Sequence, residues 1–239
     1  EPRDFIEQPL EILSFGGGVQ STAMLLMIAN GDLERPDMVI FADTGSELRE
    51  TMDHIEKNAK PFVEEVLKIP FVIARSHRGS LHEDYAKIGA IPLIGERSCT
   101  ENFKILPVRR EVRKIVGNKR GKVLARMWLG ITTDEAHRKP EGKPDREPKW
   151  VECRYPLIDD IPTSRDECSL INELNGWSVV KSGCFCCPYQ GTLQWAEIRD
   201  NHPDLWQICV EMEAKKFEIR KGKIGLFQCH PKEPRLEML

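Results

Sequence analysis

Two stretches of this chain concentrate groups that can do chemistry. Cys184-Phe185-Cys186-Cys187-Pro188 holds both a CxC and a CxxC, with Cys99 upstream. Thiolates are soft ligands that suit iron–sulfur clusters and zinc alike, and free thiols serve as nucleophiles or redox groups. The residues leave all three uses open. The second stretch is Phe15-Gly16-Gly17-Gly18-Val19-Gln20-Ser21-Thr22. Its glycines allow the backbone to approach a ligand and to turn N–H groups outward. Between a strand and a helix, those N–H groups and the helix N-terminus make an anion site, and Ser21 and Thr22 add hydroxyls. A P-loop would need a Lys after its last Gly, and none follows. A dinucleotide fingerprint, Gly16-x-Gly18-x-x-Ser21 with Asp43 as the ribose-binding acid, is the weaker alternative. Lys104 and Arg138 offer cations for a phosphate or sulfate group. Cys229-His230 near the end offers a candidate nucleophile.

These groups need a scaffold, and the apolar pattern supplies one. Leu10 to Phe15, Asp37 to Ala42, Ile69 to Ala74 and Leu124 to Leu129 read as short buried strands. Helical patterns lie between them, over Ser21 to Ala29, Glu47 to Lys68 and Phe103 to Val116, the last interrupted at Pro107. Alternating strands and helices predict an α/β fold, a doubly wound and mainly parallel sheet covered on both faces. Arg138 to Lys149 reads as a solvated loop. Thr163 or Ser164 can cap a helix that ends before Gly176. A further helical region, Thr192 to Arg220, breaks near Pro203. We expect a nucleotide-binding domain over residues 1–180 and a Cys-rich helical segment over 181–239.

The 239 residues are 40% hydrophobic and 31% charged, with a net charge of −3. A chain of this length buries roughly 70–75% of its unfolded surface and needs no disulfide to hold a core. There is no global field for nucleic acid, although Arg109, Arg110, Arg113, Lys114, Lys119, Arg120 and Lys122 form a local basic strip that a nucleic-acid substrate would fit. No apolar run reaches the length of about 20 residues that crosses a bilayer. Eight cysteines and no export signal ahead of the first strand lead us to expect a reducing, cytoplasmic setting with no membrane partner.

Taken in order, the motifs resemble those of the PAPS reductases, in the adenine nucleotide alpha-hydrolase (PP-loop) superfamily. Ser14-Phe15 and then Gly16 to Ser21 are similar to the Ser-Gly-Gly-x-Asp-Ser PP-loop, with Gly16 for its first Ser and Gln20 for its Asp. Phe41-Ala42-Asp43-Thr44-Gly45, with Glu47 and Thr51, resembles the family's DTG…E…T segment. Cys99-Thr100, Lys104-Ile105 and Pro107 resemble its Cys-Cys-x-x-x-Lys-x-x-Pro stretch. Gly130 to Arg138 resembles Gly-Ile-Arg-x-x-Glu-Ser-x-Arg, with Thr132 for the first Arg.

The resemblance implies a five-stranded parallel sheet with an adenine nucleotide across the strand ends. ATP or a sulfonucleotide (PAPS or APS) would have its phosphates on Gly16 to Ser21, with Asp43, Thr44 and Gly45 nearby. Gln20 removes the charge that would help organise a Mg2+–pyrophosphate group. Cluster-bearing members hold a 4Fe–4S cluster on a Cys-Cys pair and a later CxxC. Here that implies Cys99, Cys184 and Cys187 as ligands, with Cys186 as a fourth and zinc as the alternative metal. Three readings of function follow. ATP-dependent adenylation with sulfur transfer to a substrate, nucleic acid included, is favoured; a protein would donate the sulfur or electrons. A sulfonucleotide reductase releasing sulfite would use Cys229 as its nucleophile. The third reading is a non-catalytic nucleotide-binding accessory protein.

Overall fold

The computed structural model describes residues 8–118, 122–139, 148–179, 181–220, 224–226 and 236. In chain order the elements are β1 (Leu10–Phe15), α1 (Val19–Asn30), β2 (Met38–Asp43), α2 (Arg49–His54), β3 (Phe71–Arg75), α3 (Leu81–Lys87), α4 (Ser98–Thr100), α5 (Leu106–Val116), β4 (Ala125–Trp128), β5 (Val151–Arg154), α6 (Pro156–Asp159), α7 (Arg165–Leu174), α8 (Thr192–Asn201) and α9 (Pro203–Ile219). The strands form one five-stranded parallel sheet in the order β3-β2-β1-β4-β5. This is the α/β fold the sequence predicts. β5 was not among the strands read from the sequence, because Val-Glu-Cys-Arg offers a single apolar anchor at Val151.

Strand alternation sorts the core into two faces. Leu13, Phe15, Val39, Phe41, Phe71 and Trp128 pack with α1 and α7 on one face. Ile12, Met38, Ile40, Ala74, Ala125 and Met127 pack with Val108, Val112 and Val116 of α5 on the other. Each of the Leu, Ile, Val, Phe and Met side chains contributes roughly 1.5–3 kcal/mol by leaving water. The β1–β4–β5 register is marked by a charge ladder: Glu11 faces Arg126, which faces Glu152. Arg126 donates to Glu11 at 3.0 Å and to Glu152 at 2.9 Å, and the Trp128 indole N–H donates to Glu11 at 2.6 Å.

Local signals explain the helix ends. Ser164 Oγ accepts the Glu167 N–H at 3.3 Å, and Glu167 Oε2 accepts the Ser164 N–H at 2.7 Å, a capping box that starts α7. Gly176 follows with φ +75°. The long helix expected over 47–68 is α2 continued by two π-turn segments, Ile55–Ala59 and Phe62–Val66. They flank Pro61, whose missing N–H cannot join a regular ladder. Another π-turn segment, Glu101–Ile105, precedes Pro107, so the proline sits in the first turn of α5.

The chain divides into two compact units. The first comprises 1–42, 49–74 and 108–182, and the second 43–48, 75–107 and 183–239. The second has its own core of Leu81, Tyr85, Phe103, Phe185, Trp195 and Met212. Within it, the buried Glu213 carboxylate accepts the backbone N–H groups of Leu226 and Leu236, at 2.5 and 3.0 Å. Among the described residues no helix is long and apolar enough to cross a membrane.

Candidate functional site

In the first unit, the turn after β1 opens into a cavity of about 390 Å³. Of the nucleotide-binding residues expected from sequence, Ser14, Gly16, Gly18, Gln20 and Ser21 line it, together with Arg138. Gly17 has φ +71°, where an L side chain is strained, and its space is taken by Ile55 and Thr51. Gly18 is the extended residue that starts α1. Ser21 braces the turn: its Oγ accepts the Gly16 N–H at 3.2 Å and donates to the Gly18 carbonyl at 3.2 Å. Gly130 closes from the β4 side, where a Cβ would touch Gln20, Met24 and the Ser21 nitrogen at 3.4 Å. The 12-residue α1 aims its N-terminal N–H groups at this space, an arrangement that favours an anion.

Other expected residues lie elsewhere. Phe15 is in the core, edge-on to Phe71 at 5.9 Å. Thr22 is fully buried, its hydroxyl 3.1 Å from His54 Nε2. His54 also packs edge-on against Trp177, and burial lowers its pKa. The residues that sequence reasoning missed are Arg165, Lys181 and Ser182, all lining the cavity. Arg165 is the first residue of α7 and Lys181 follows the last helix of this unit by several residues. No motif flags either, since only folding carries them to the glycine turn. Arg138 ends a 3-10 turn, Thr133–Arg138, and donates to Glu135 at 2.6 Å.

The second unit holds the Asp43–Gly45 turn and the cysteine loop. Asp43 Oδ1 accepts the Gly45 N–H at 2.8 Å, and Asp43 Oδ2 accepts from Arg75 Nε at 2.8 Å. The turn is stitched to the cysteines: Glu47 pairs with Cys184 as an antiparallel bridge, and the Phe185 N–H donates to the Ser46 carbonyl at 2.8 Å. Thr44 Oγ1 donates to Glu47 Oε1 at 2.9 Å and lies 3.3 Å from Cys184 Sγ. The Glu47 side chain is 2% exposed and 3.9 Å from Lys104 Nζ. Lys104 is held protonated well above the usual lysine range, first by Glu47 and then by Cys184, Cys187 and Cys99 around it. Of the expected ligands, Cys184 reaches the same carboxylate, its Sγ 3.7 Å from Glu47 Oε1, and the Cys187 N–H donates to the Cys184 carbonyl at 3.1 Å.

Cys184 has its thiol pushed up to about 12 by burial and by Glu47, against the pull of Lys104. Cys99 is held from behind by the hydrogen bond of its neighbour Ser98 to Tyr85, 2.9 Å between oxygens. Cys186, expected as a fourth ligand, is fully buried in the core with Phe185, Trp195 and Cys209. Burial and the nearby Cys209 raise its thiol pKa strongly. The described cysteines are all free thiols. Among the described residues no three His, Cys, Asp or Glu side chains form an array that would hold a single metal ion. The thiolates of a cluster bind separate irons, whereas zinc draws its ligands to one point. Cys99, Cys184 and Cys187 are soft thiol donors of the kind that both groups take. Cys229 and His230 lie outside the described residues, as do Lys119, Arg120 and 140–147.

Comparison with known proteins agrees with this geometry. Two uncharacterized proteins of Methanocaldococcus jannaschii, MJ0973 and MJ0066, are 24% and 22% identical to this chain. The matches cover 95% and 93% of it but 53% and 46% of those proteins, so the chain spans about half their length. A crystal structure of phosphoadenylyl-sulfate (PAPS) reductase from Candida auris, a phosphate complex, superposes with a TM-score of 0.50 at 16% identity. It covers 73% of this chain and 76% of that one, a likeness of fold. Residues 11–127 match the phosphoadenosine phosphosulfate reductase domain. This stretch, just under half of the chain, runs from β1 into β4 and includes the glycine turn, the Asp43 turn, Cys99 and Lys104, and over it the chain is similar to that domain and shares the reductase fold.

Proposed function

We propose that this chain is an enzyme that binds an adenine nucleotide, ATP first, in the glycine-turn cavity and uses the thiols of its second unit in sulfur chemistry. The observation that carries the nucleotide half is the cavity itself, lined by the glycine turn and the first residues of α1 together with Arg138, Arg165 and Lys181. N–H groups and cations converging in one concave space suit a phosphorylated ligand. Glu135 orients Arg138 through their 2.6 Å contact, which holds the guanidinium at the cavity wall.

The sulfur half rests on Cys184, whose Sγ lies 3.7 Å from the Glu47 carboxylate that pairs with Lys104, on Cys187 hydrogen-bonded to its carbonyl, and on Cys99 in the same unit. These three residues would hold a 4Fe–4S cluster, and a cluster so bound supplies an iron with an open position for sulfide or a substrate atom. Lys104 offsets the negative charge of the thiolates. Glu47 and Thr44 fix Cys184 from the other side. The reaction proposed is attack of an acceptor oxygen on the ATP α-phosphorus with release of pyrophosphate, followed by displacement of AMP by sulfide-level sulfur. Nucleic acid is one acceptor class that this reaction admits.

Anaerobic purification with iron, acid-labile sulfide and zinc analysis tests the thiol half. We expect a brown protein with about four iron and four sulfide per chain, lost in Cys184→Ala while ATP binding persists. One zinc per chain, or no metal, would overturn it. Calorimetric titration with ATP tests the nucleotide half, which fails if neither ATP nor adenosine binds.

A further inference from the structure

The cavity beside the glycine turn carries more positive charge than its motif accounts for. Among the described residues that line it, Glu135 is the one carboxylate, and Arg138 engages it at 2.6 Å. Arg165 and Lys181 add two more cations on the same wall. The Asp134 carboxylate is turned to the Arg165 backbone N–H at 2.9 Å. Thr132, where the resembled family has an Arg, is fully buried and offers nothing to the cavity. Gln20, where a PP-loop has Asp, leaves the turn itself neutral. Among the described residues, the lining thus has cations for an anion but no uncommitted carboxylate with which to grip a divalent metal.

We propose that Arg165 and Lys181 are specificity-determining residues that hold the anionic tail of the bound nucleotide directly, in place of a carboxylate-anchored divalent cation. This rests on the nucleotide reading given above. Arg165 presents a planar fork suited to two oxygens of one phosphate or sulfonate group, and Lys181 a mobile point charge. Arg165 is half-buried and Lys181 exposed, so the guanidinium would lie deeper and set register while the ammonium follows the tail. The ligand class is an adenine nucleotide with at least two negative charges beyond the nucleoside.

The test is calorimetric titration of the full chain with adenosine, AMP, ADP, ATP and adenosine 5′-phosphosulfate, in EDTA and again with Mg2+. Affinity is expected to climb from adenosine to ADP without metal and to weaken as salt rises. Arg165→Gln with Lys181→Gln should weaken ADP and ATP at least about tenfold, as loss of charge-assisted contacts does, and leave adenosine within about twofold. Arg165→Lys should recover part of the loss. ATP and the phosphosulfate both support the proposal, and the tighter of the two names the tail. Unchanged ADP affinity in the double variant overturns the proposal, as does ADP binding that requires Mg2+. If the wild type binds neither adenosine nor any nucleotide, the nucleotide reading itself falls. Circular dichroism melts establish that the variants are folded; should the double variant unfold, Lys181→Gln alone, at an exposed position, carries the comparison.

Discussion

Ser182 stands over Gly18 so closely that a Cβ on the glycine would lie 2.5 Å from the serine Oγ. The three glycines of the turn are therefore not equivalent. At Gly16 an added Cβ meets only Ser21 Oγ, at 3.8 Å, and at Gly17 it meets Ile55 and Thr51 at 3.0 and 3.1 Å from a backbone at φ +71°.

Alanine substitutions along the turn should rank accordingly. Gly16→Ala is expected to leave stability nearly unchanged. Gly18→Ala should cost about 1 kcal/mol, because the serine hydroxyl must rotate away, and Ser182→Ala in the same chain should recover it. Gly17→Ala should cost the most, about 2–4 kcal/mol from left-handed strain and overpacking together. Urea unfolding midpoints read all four variants, and an equal loss at all three positions would contradict the geometry.

The pairing of Thr22 and His54 beneath the turn makes stability pH-dependent. Burial lowers the His54 pKa below its ordinary 6.5, so the unfolded chain takes up a proton at a pH where the folded chain does not. The contribution is fully present above about pH 6.5 and is lost as pH falls from there through the lower folded value. The urea midpoint should drop between pH 7.5 and 5.5, and His54→Gln should flatten that drop. An unaltered slope in the variant would assign it to other groups.

Lys104 and Glu47 can be separated by a double-mutant cycle. Lys104→Gln leaves a nearly inaccessible carboxylate without its closest cation. Because Lys104 is itself 44% exposed, the cost should be roughly 1–3 kcal/mol rather than that of a fully buried pair. Glu47→Gln added to Lys104→Gln should recover part of it. Strictly additive losses would show that the two groups do not interact.

The thiols should fall into two reactivity classes. Cys168, Cys186 and Cys209 are fully buried with thiols raised by burial, and Cys184 is held up to about 12. Native, metal-free protein treated with a disulfide reagent near pH 8 should label Cys99, Cys153 and Cys187 first; Cys184 is half-buried like them but is set apart by its raised thiol. The other four described cysteines should label only on unfolding. Early labelling of Cys186, read by mass spectrometry of peptides, would place it outside the core.

Much of this protein is written locally. Leu10–Phe15 and Met38–Asp43 read as strands because both their faces are buried and every residue type agrees. Ser164 with Glu167 starts α7, and Gly176 follows its end, through contacts within a few residues. The glycine turn, the Asp43–Gly45 segment, the Cys99–Pro107 stretch and Gly130–Arg138 are local as well, and they carry the resemblance to the PAPS reductases. β5 was missed because four residues with one apolar anchor have no periodicity to detect; parallel pairing with β4, in register at Val151 and Ala125, makes it a strand.

The tertiary structure decided what each candidate side chain does. Cys186 and Cys187 are neighbours in sequence, yet one lies in the core with Cys209 and the other is half-buried outside it. Thr22 differs from Ser21 by one position, but its hydroxyl turns under the helix to His54 while Ser21 braces the turn. Arg165 and Lys181 reach the cavity although no motif includes them. Motifs fix the backbone through short-range sterics and hydrogen bonds. The direction of a side chain, its burial and its charge partners depend on segments far apart in the chain, and those meet only when the whole chain packs.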